Sequence, residues 1–148
     1  MKHLAILQKQ KTALIIIDMQ EKFAPAIPSF AAITANITKL ILGFQLFKIP
    51  CIVTEQYPQG LGPTVEPIKQ MFPILEIIEK NEFACTDNTD FWKAVNPLHI
   101  ETFVVCGVES HVCINQTVLG LIAKKHTVHV VADAIGSRKN LDHDLANP

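Results

Sequence analysis

The chain lacks several features that would fix its chemistry at once, and each absence narrows the choice. Its four cysteines, Cys51, Cys85, Cys106 and Cys113, form no C-x-x-C pair, so neither a thioredoxin-type redox motif nor a cysteine-rich zinc site is supported. They lie on or beside apolar runs, which is how free thiols of a reducing compartment are placed; Cys51 and Cys106 read as small core hydrophobes. Net charge is nearly absent, at −1 over 148 residues, and offers no electrostatic footprint for nucleic acid or an anionic membrane. Apolar stretches are short, the longest being LILGFQLF at 40–47, far below the ~20 residues of a membrane span. The start, MKHLAILQKQK, has a brief apolar patch and no small-residue cleavage site, so no secretory signal is read and a cytoplasmic location is expected. Repeats and low-complexity segments are missing too.

What is present is a chain with 49% apolar and 18% charged residues, the composition of one globular domain over 1–148 with its own core. Its patterning alternates strand and helix. Ala13–Asp18 is a β-branched run suited to a central strand buried on both faces. Over 29–47, Phe30, Ile33, Ile37, Leu40, Ile41 and Phe44 recur at helical spacing and predict one apolar stripe. CIVTEQ (51–56) reads as a second strand, followed by a Gly- and Pro-rich connection, YPQGLGPT, in which Gly60 and Gly62 permit unusual backbone angles. A third strand is expected near Ile74–Glu79, then a helix capped at Asn88 or Thr89 and running to Val95. ETFVVCGV, a helix from Cys113, and HTVHVVAD (126–133) complete the series. Crossovers of this length favour right-handed βαβ units, hence a three-layer α/β/α fold with a mostly parallel, Rossmann-like sheet.

Three polar residues close or follow apolar runs: Asp18 after LIII, Lys80 after ILEIIE, and Cys113 at the start of a helical pattern. The carboxyl ends of parallel strands share one edge, which would bring an acid, an amine and a thiol together. A thiol at a helix N-terminus is placed where backbone N–H groups favour negative charge. Each residue alone has a plainer explanation. An Asp after a strand is often a turn former, a Lys is usually solvated, and a Cys is usually core.

The segments IIIDMQ (15–20), TEQYPQGLGPT (54–64), EKNEFA (79–84), VVCGVESHVCINQT (104–117) and VADAIGSR (131–138) together resemble the isochorismatase-like cysteine hydrolases, a family that includes nicotinamidases. The TEQYPQGLGPT stretch is most similar to the isochorismatase domain-containing subgroup. The resemblance implies a catalytic triad of Asp18, Lys80 and Cys113 and an oxyanion hole from the backbone N–H groups of Glu109 and Cys113, with Val108–Glu109 cis as in relatives. It implies hydrolysis of a small amide or related C–N bond through a thioester. Isochorismatase activity itself is not expected, because cleavage of a vinyl ether needs no nucleophilic thiol and the true isochorismatases lack this cysteine. Gln20, Phe23, Thr54, Gln56, Tyr57 and Phe83 are candidate substrate-binding residues; His111 reads as rim or surface, and Asp133 as a structural cap.

No cofactor and no metal are expected. Zinc-dependent members of the family carry a histidine just after the second strand, where this chain has Glu55 and Gln56. In place of the family's final helix and sixth strand the chain has KNLDHDLANP, so the domain reads as shortened at its C-terminus. Either the sequence is a truncated product or an apolar edge strand needs cover, and on the second reading a homo-oligomer is expected. The alternative is a non-catalytic or thiol-sensing oligomeric module that keeps the fold.

Overall fold

A computed structural model describes residues 6–146. The reading of the first five residues as no leader, and the last two residues of KNLDHDLANP, lie outside the described residues.

Five strands form one parallel sheet in the order β3-β2-β1-β4-β5. They are β1 (Thr12–Ile17), β2 (Cys51–Gln56), β3 (Ile77–Lys80), β4 (Thr102–Val108) and β5 (Thr127–Gly136). The fold class expected from patterning is the one found. Strand β1 is central, and its six residues are all buried. Pleating sends Leu14 and Ile16 to one face and Ile15 and Ile17 to the other, which is why the run is apolar without alternation.

On the first face lies α1 (Phe30–Leu46), whose buried stripe is Phe30, Ile33, Thr34, Ile37 and Ile41. This stripe packs on Leu14, Ile16, Val53 and Val104. On the second face, α4 (Thr89–Val95) brings Phe91 and Val95, and α5 (Asn115–Ala123) brings Leu121, against Ile15, Ile17, Phe103 and Val105. Asn88 caps α4, its Oδ1 accepting from the Phe91 N–H at 3.0 Å.

Several boundaries differ from the patterning. The third strand begins at Ile77, not Ile74, because its register runs only from Val53↔Ile77 to Gln56↔Lys80; Ile74 is 84% exposed. Lys80 is therefore the last strand residue, beside Gln56. The YPQGLGPT connection holds a short helix, α2 (Pro58–Leu61), and a further one follows at α3 (Glu66–Lys69). Of its two glycines, Gly62 has positive φ. Strand β5 runs three residues past Asp133, after a register shift between Val105 and Gly107 of its partner. Asp133 is exposed, and its carbonyl accepts from Asn36. Residues 140–146 form α6, which docks on the turn after β4.

Gly107 on β4 governs how closely the sheet's carboxyl edge closes. Its φ is +118°, and a Cβ there would lie 2.1 Å from the Ile17 carbonyl oxygen. Any side chain would push β4 from β1 immediately before Asp18. Gly107→Ala is expected to cost about 3 kcal/mol or more, from backbone strain plus overpacking. A denaturant midpoint matching that of the unsubstituted protein would contradict this.

Candidate active site

The parallel sheet delivers side chains to its carboxyl edge. Asp18 follows β1 with φ of +54°, a left-handed conformation that aspartate tolerates better than most residues. Its N–H donates to the Thr54 carbonyl at 3.2 Å and its own carbonyl accepts from Gln20 N–H at 2.8 Å. Lys80 ends β3 two strands away. Cys113 lies in a π-helical turn, Ser110–Ile114, that leads into α5. The thiol is thus in the first turn of a continuous helical segment beginning at Ser110. The Glu109 carbonyl turns into that segment, accepting from Val112 and Ile114 N–H at 3.1 and 3.2 Å. The Val108–Glu109 peptide bond is cis.

The three side chains meet. Lys80 Nζ donates to Asp18 Oδ2 at 2.7 Å and lies 3.5 Å from Cys113 Sγ. It also donates to Gln56 Oε1 at 2.7 Å and to the Glu82 carbonyl at 3.3 Å. Relative exposures are 0% for Asp18, 2% for Lys80 and 6% for Cys113. Thr54 Oγ1 donates to Asp18 Oδ1 at 2.7 Å. Each carboxylate oxygen therefore has its own donor.

Electrostatics at this cluster are asymmetric. Burial pulls the Lys80 ammonium down, but the charge of Asp18 and its hydrogen bond outweigh it and leave its pKa raised. The Cys113 thiol is pushed up, first by burial and then by the Asp18 charge, with Lys80 opposing. The helix N-terminus suggests a resting thiolate; the surroundings instead keep the proton on sulfur at neutral pH. Cys85, fully buried nearby, is pushed up to about 11 by burial.

Cys113 opens into a cavity of about 310 Å³, at the small end of ligand pockets. Phe23, Leu61, Phe83 and Val112 supply its apolar walls, and Gln56, Glu109 and Arg138 its polar ones. Phe23, Gln56 and Phe83 thus sit where the sequence reading puts them. Thr54 lies behind the wall against Asp18. Gln20 is wholly buried, its amide donating to the carbonyls of Gln56 and Gly62 and accepting from Gln56 N–H; it ties the β1 loop to the β2 loop. Tyr57 is half exposed and leans over Gly60, outside the cavity lining. His111 bonds to Ser137 through Nδ1 at 2.9 Å.

Leu61, Val112 and Arg138 are left unassigned by the sequence reading. For Arg138 the signal was available, since it follows β5 at the same sheet edge as Asp18 follows β1. Its guanidinium pairs with the buried Glu109 carboxylate at 3.0 Å, and its backbone N–H donates to the same group. The hydrogen bond and charge of Glu109 raise the Arg138 pKa further. Among the described residues no three His, Cys, Asp or Glu gather as a metal ligand set. Glu55, near the end of β2, accepts from Thr64 N–H and Oγ1 at 2.6 and 2.8 Å.

Comparison with known proteins agrees with this geometry. The isochorismatase domain model matches residues 12–147. Isochorismatase domain-containing protein 1 of Danio rerio is 39% identical over 137 residues, covering 87% of this chain. The chain spans about half the length of that relative and of its Salmo salar counterpart, at 45% and 47%. Among solved structures, the MAR1 ribonuclease of Caenorhabditis elegans superposes with a TM-score of 0.89 at 35% identity, covering 96% of this chain and 73% of that one. The YcaC gene product of Escherichia coli, an octameric hydrolase of unknown specificity, superposes with a TM-score of 0.88 at 27% identity, covering 99% and 74%. With the motif order, the parallel sheet and the matched span in agreement, the chain belongs to the isochorismatase domain family.

Proposed function

We propose that the protein is a metal-independent cysteine hydrolase acting on a small amide or related C–N bond, with Cys113 as nucleophile, Asp18 as proton carrier and Lys80 as their electrostatic support. The observation that carries the reading is the convergence of a buried acid, amine and thiol at one cavity wall. As Cys113 Sγ attacks the carbonyl carbon, its proton passes to Asp18 and the carbonyl π pair moves to oxygen. The backbone N–H groups of Glu109 and Cys113 receive that oxyanion. When the tetrahedral intermediate collapses, the C–N bond breaks and the Asp18 proton leaves with the amine. A water then attacks the thioester carbon, giving its proton to Asp18, and the thiol is regenerated as the C–S bond breaks.

The cavity limits the substrate by size, and its walls of Phe23, Phe83, Leu61 and Val112 favour an apolar body beside the reacting amide. The ribonuclease named among the structural relatives suggests a second activity. A net charge of −1 and a cavity this small favour a small molecule over a polyanion. Four free cysteines suit a reducing cytoplasm.

Cys113→Ala is expected to abolish hydrolysis in a screen of small primary amides, and an electrophilic amide analogue to leave one adduct, on Cys113. A screen without turnover, or labelling confined to Cys85, would contradict the proposal and favour the thiol-sensing reading.

The raised thiol pKa yields a sharper expectation. Asp18 pushes the thiol up and Lys80 pulls it down. Asp18→Asn keeps the shape, removes the negative charge and lets the Cys113 thiolate serve as counter-ion to Lys80. Iodoacetamide, which reacts with thiolate, should label Cys113 about tenfold faster near pH 8 in Asp18→Asn, while turnover is lost. Slower labelling would reverse the assigned sign.

The edge strand β5 leads to the proposal of a homo-oligomer. Val130 and Ala132 are exposed along it, and α6 packs on the turn after β4, so β5 offers a partner subunit an apolar surface to cover. Sedimentation at micromolar concentration should show a species larger than one chain; a stable monomer would overturn this.

A further inference from the structure

The mechanism uses Asp18, Lys80 and Cys113, yet a fourth side chain is as deeply buried in the same cluster. Thr54 on β2 has no exposure, and it is absent from the cavity lining. Its hydroxyl carries a single hydrogen, committed to Asp18 Oδ1 at 2.7 Å. The same residue holds the backbone beneath, its carbonyl accepting from Asp18 N–H at 3.2 Å. Register places Thr54 beside Ile17, the last residue of β1, so the threonine is fixed by the sheet itself.

Resting on the hydrolase reading above, we propose that Thr54 is the positioning residue of the reaction: its hydroxyl pins one oxygen of Asp18, so that the other stays on Lys80 and the carboxylate stays directed at Cys113. A carboxylate held by Lys80 alone could pivot about that single contact, and Asp18 sits in a left-handed backbone conformation just past the end of β1. Two donors on two oxygens remove the pivot. Cys85 is fully buried nearby, and burial holds it protonated, with its pKa pushed up to about 11.

The test compares Thr54→Val, which keeps the shape and loses the hydroxyl, with Thr54→Ser, which keeps the hydroxyl. Thr54→Ala is carried in parallel in case the valine variant does not fold. Two readouts move in opposite directions if the proposal holds. Turnover of an amide substrate falls about tenfold or more in kcat for Thr54→Val, the scale of one lost hydrogen bond to a charged group, with KM unchanged because Thr54 lies outside the cavity lining. Iodoacetamide labelling of Cys113 near pH 8 rises at the same time. An unpinned carboxylate either turns away from the sulfur or gains a proton, and both relieve the upward push on the thiol. Thr54→Ser restores both values to within about threefold. Labelling of Cys85 stays slow throughout, which separates loss of Asp18 positioning from general loosening of the fold. The proposal is overturned if Thr54→Val and Thr54→Ala label Cys113 no faster than wild type, or if Cys85 labelling rises in parallel. The labelling arm needs no substrate, so it reads Thr54 even if the amide screen finds no turnover and the hydrolase reading itself fails.

Discussion

The ion pair between Lys80 and Asp18 is the contact around which the carboxyl edge of the sheet is organised. Both side chains are fully buried and their atoms are 2.7 Å apart. Removing two charges from water costs several kcal/mol each, and their attraction repays this only when the remaining hydrogen-bonding positions are filled. Here they are filled from three directions. Thr54 takes the second carboxylate oxygen, and Gln56 and the Glu82 carbonyl take ammonium hydrogens. A hydrophobic pair of similar volume would serve stability as well. The costly arrangement is intelligible as machinery for the thiol beside it, since Asp18 and Lys80 act on Cys113 with opposite signs.

The fold serves that cluster by bringing strand ends together. Strand β1 is sealed between neighbours and between two core layers, so Asp18 leaves it from a rigid base. Gly107 lets β4 close against that base. The cis bond after Val108 and the π-turn then begin the segment that carries Cys113 to the cavity. On the outer side, Arg138 ties β5's end to Glu109. His143 meets Ser110 at 2.8 Å, and His111 lies 3.8 Å from Asp142. The turn bearing the thiol is thus held from the sheet on one side and from the 137–143 segment on the other.

Much of this was legible in the sequence for a physical reason. Strands buried on both faces must be continuous apolar runs, so β1 and β4 stand out, and the carboxyl edge that parallel strands share marks Asp18 after β1 and Lys80 after ILEIIE without any coordinates. The length of β3 was not legible, because Ile74, Leu75, Ile77 and Ile78 make ILEIIE read as one strand and only pairing with β2 decides where the strand begins. The short helices after Tyr57 were hidden by glycine and proline, which read as loop. Side-chain direction was the larger gap. Gln20 follows β1, and Thr54, Gln56 and Tyr57 lie at the end of β2, yet the four separate into a loop tie, an acid donor, a lysine acceptor and a surface ring. Nor does a helix N-terminus reveal that burial and a carboxylate outweigh its dipole at Cys113.

Burial and the Asp18 charge, against the pull of Lys80, keep the Cys113 proton on sulfur until attack. The most direct test is the ultraviolet absorbance of thiolate followed across pH, as the difference between the native protein and Cys113→Ala. No thiolate signal attributable to Cys113 should appear at neutral pH, and it should emerge only under strongly alkaline conditions. A full thiolate signal at neutral pH would contradict the account, and would mean that Lys80 and the helical turn, not Asp18 and burial, set the state of the sulfur.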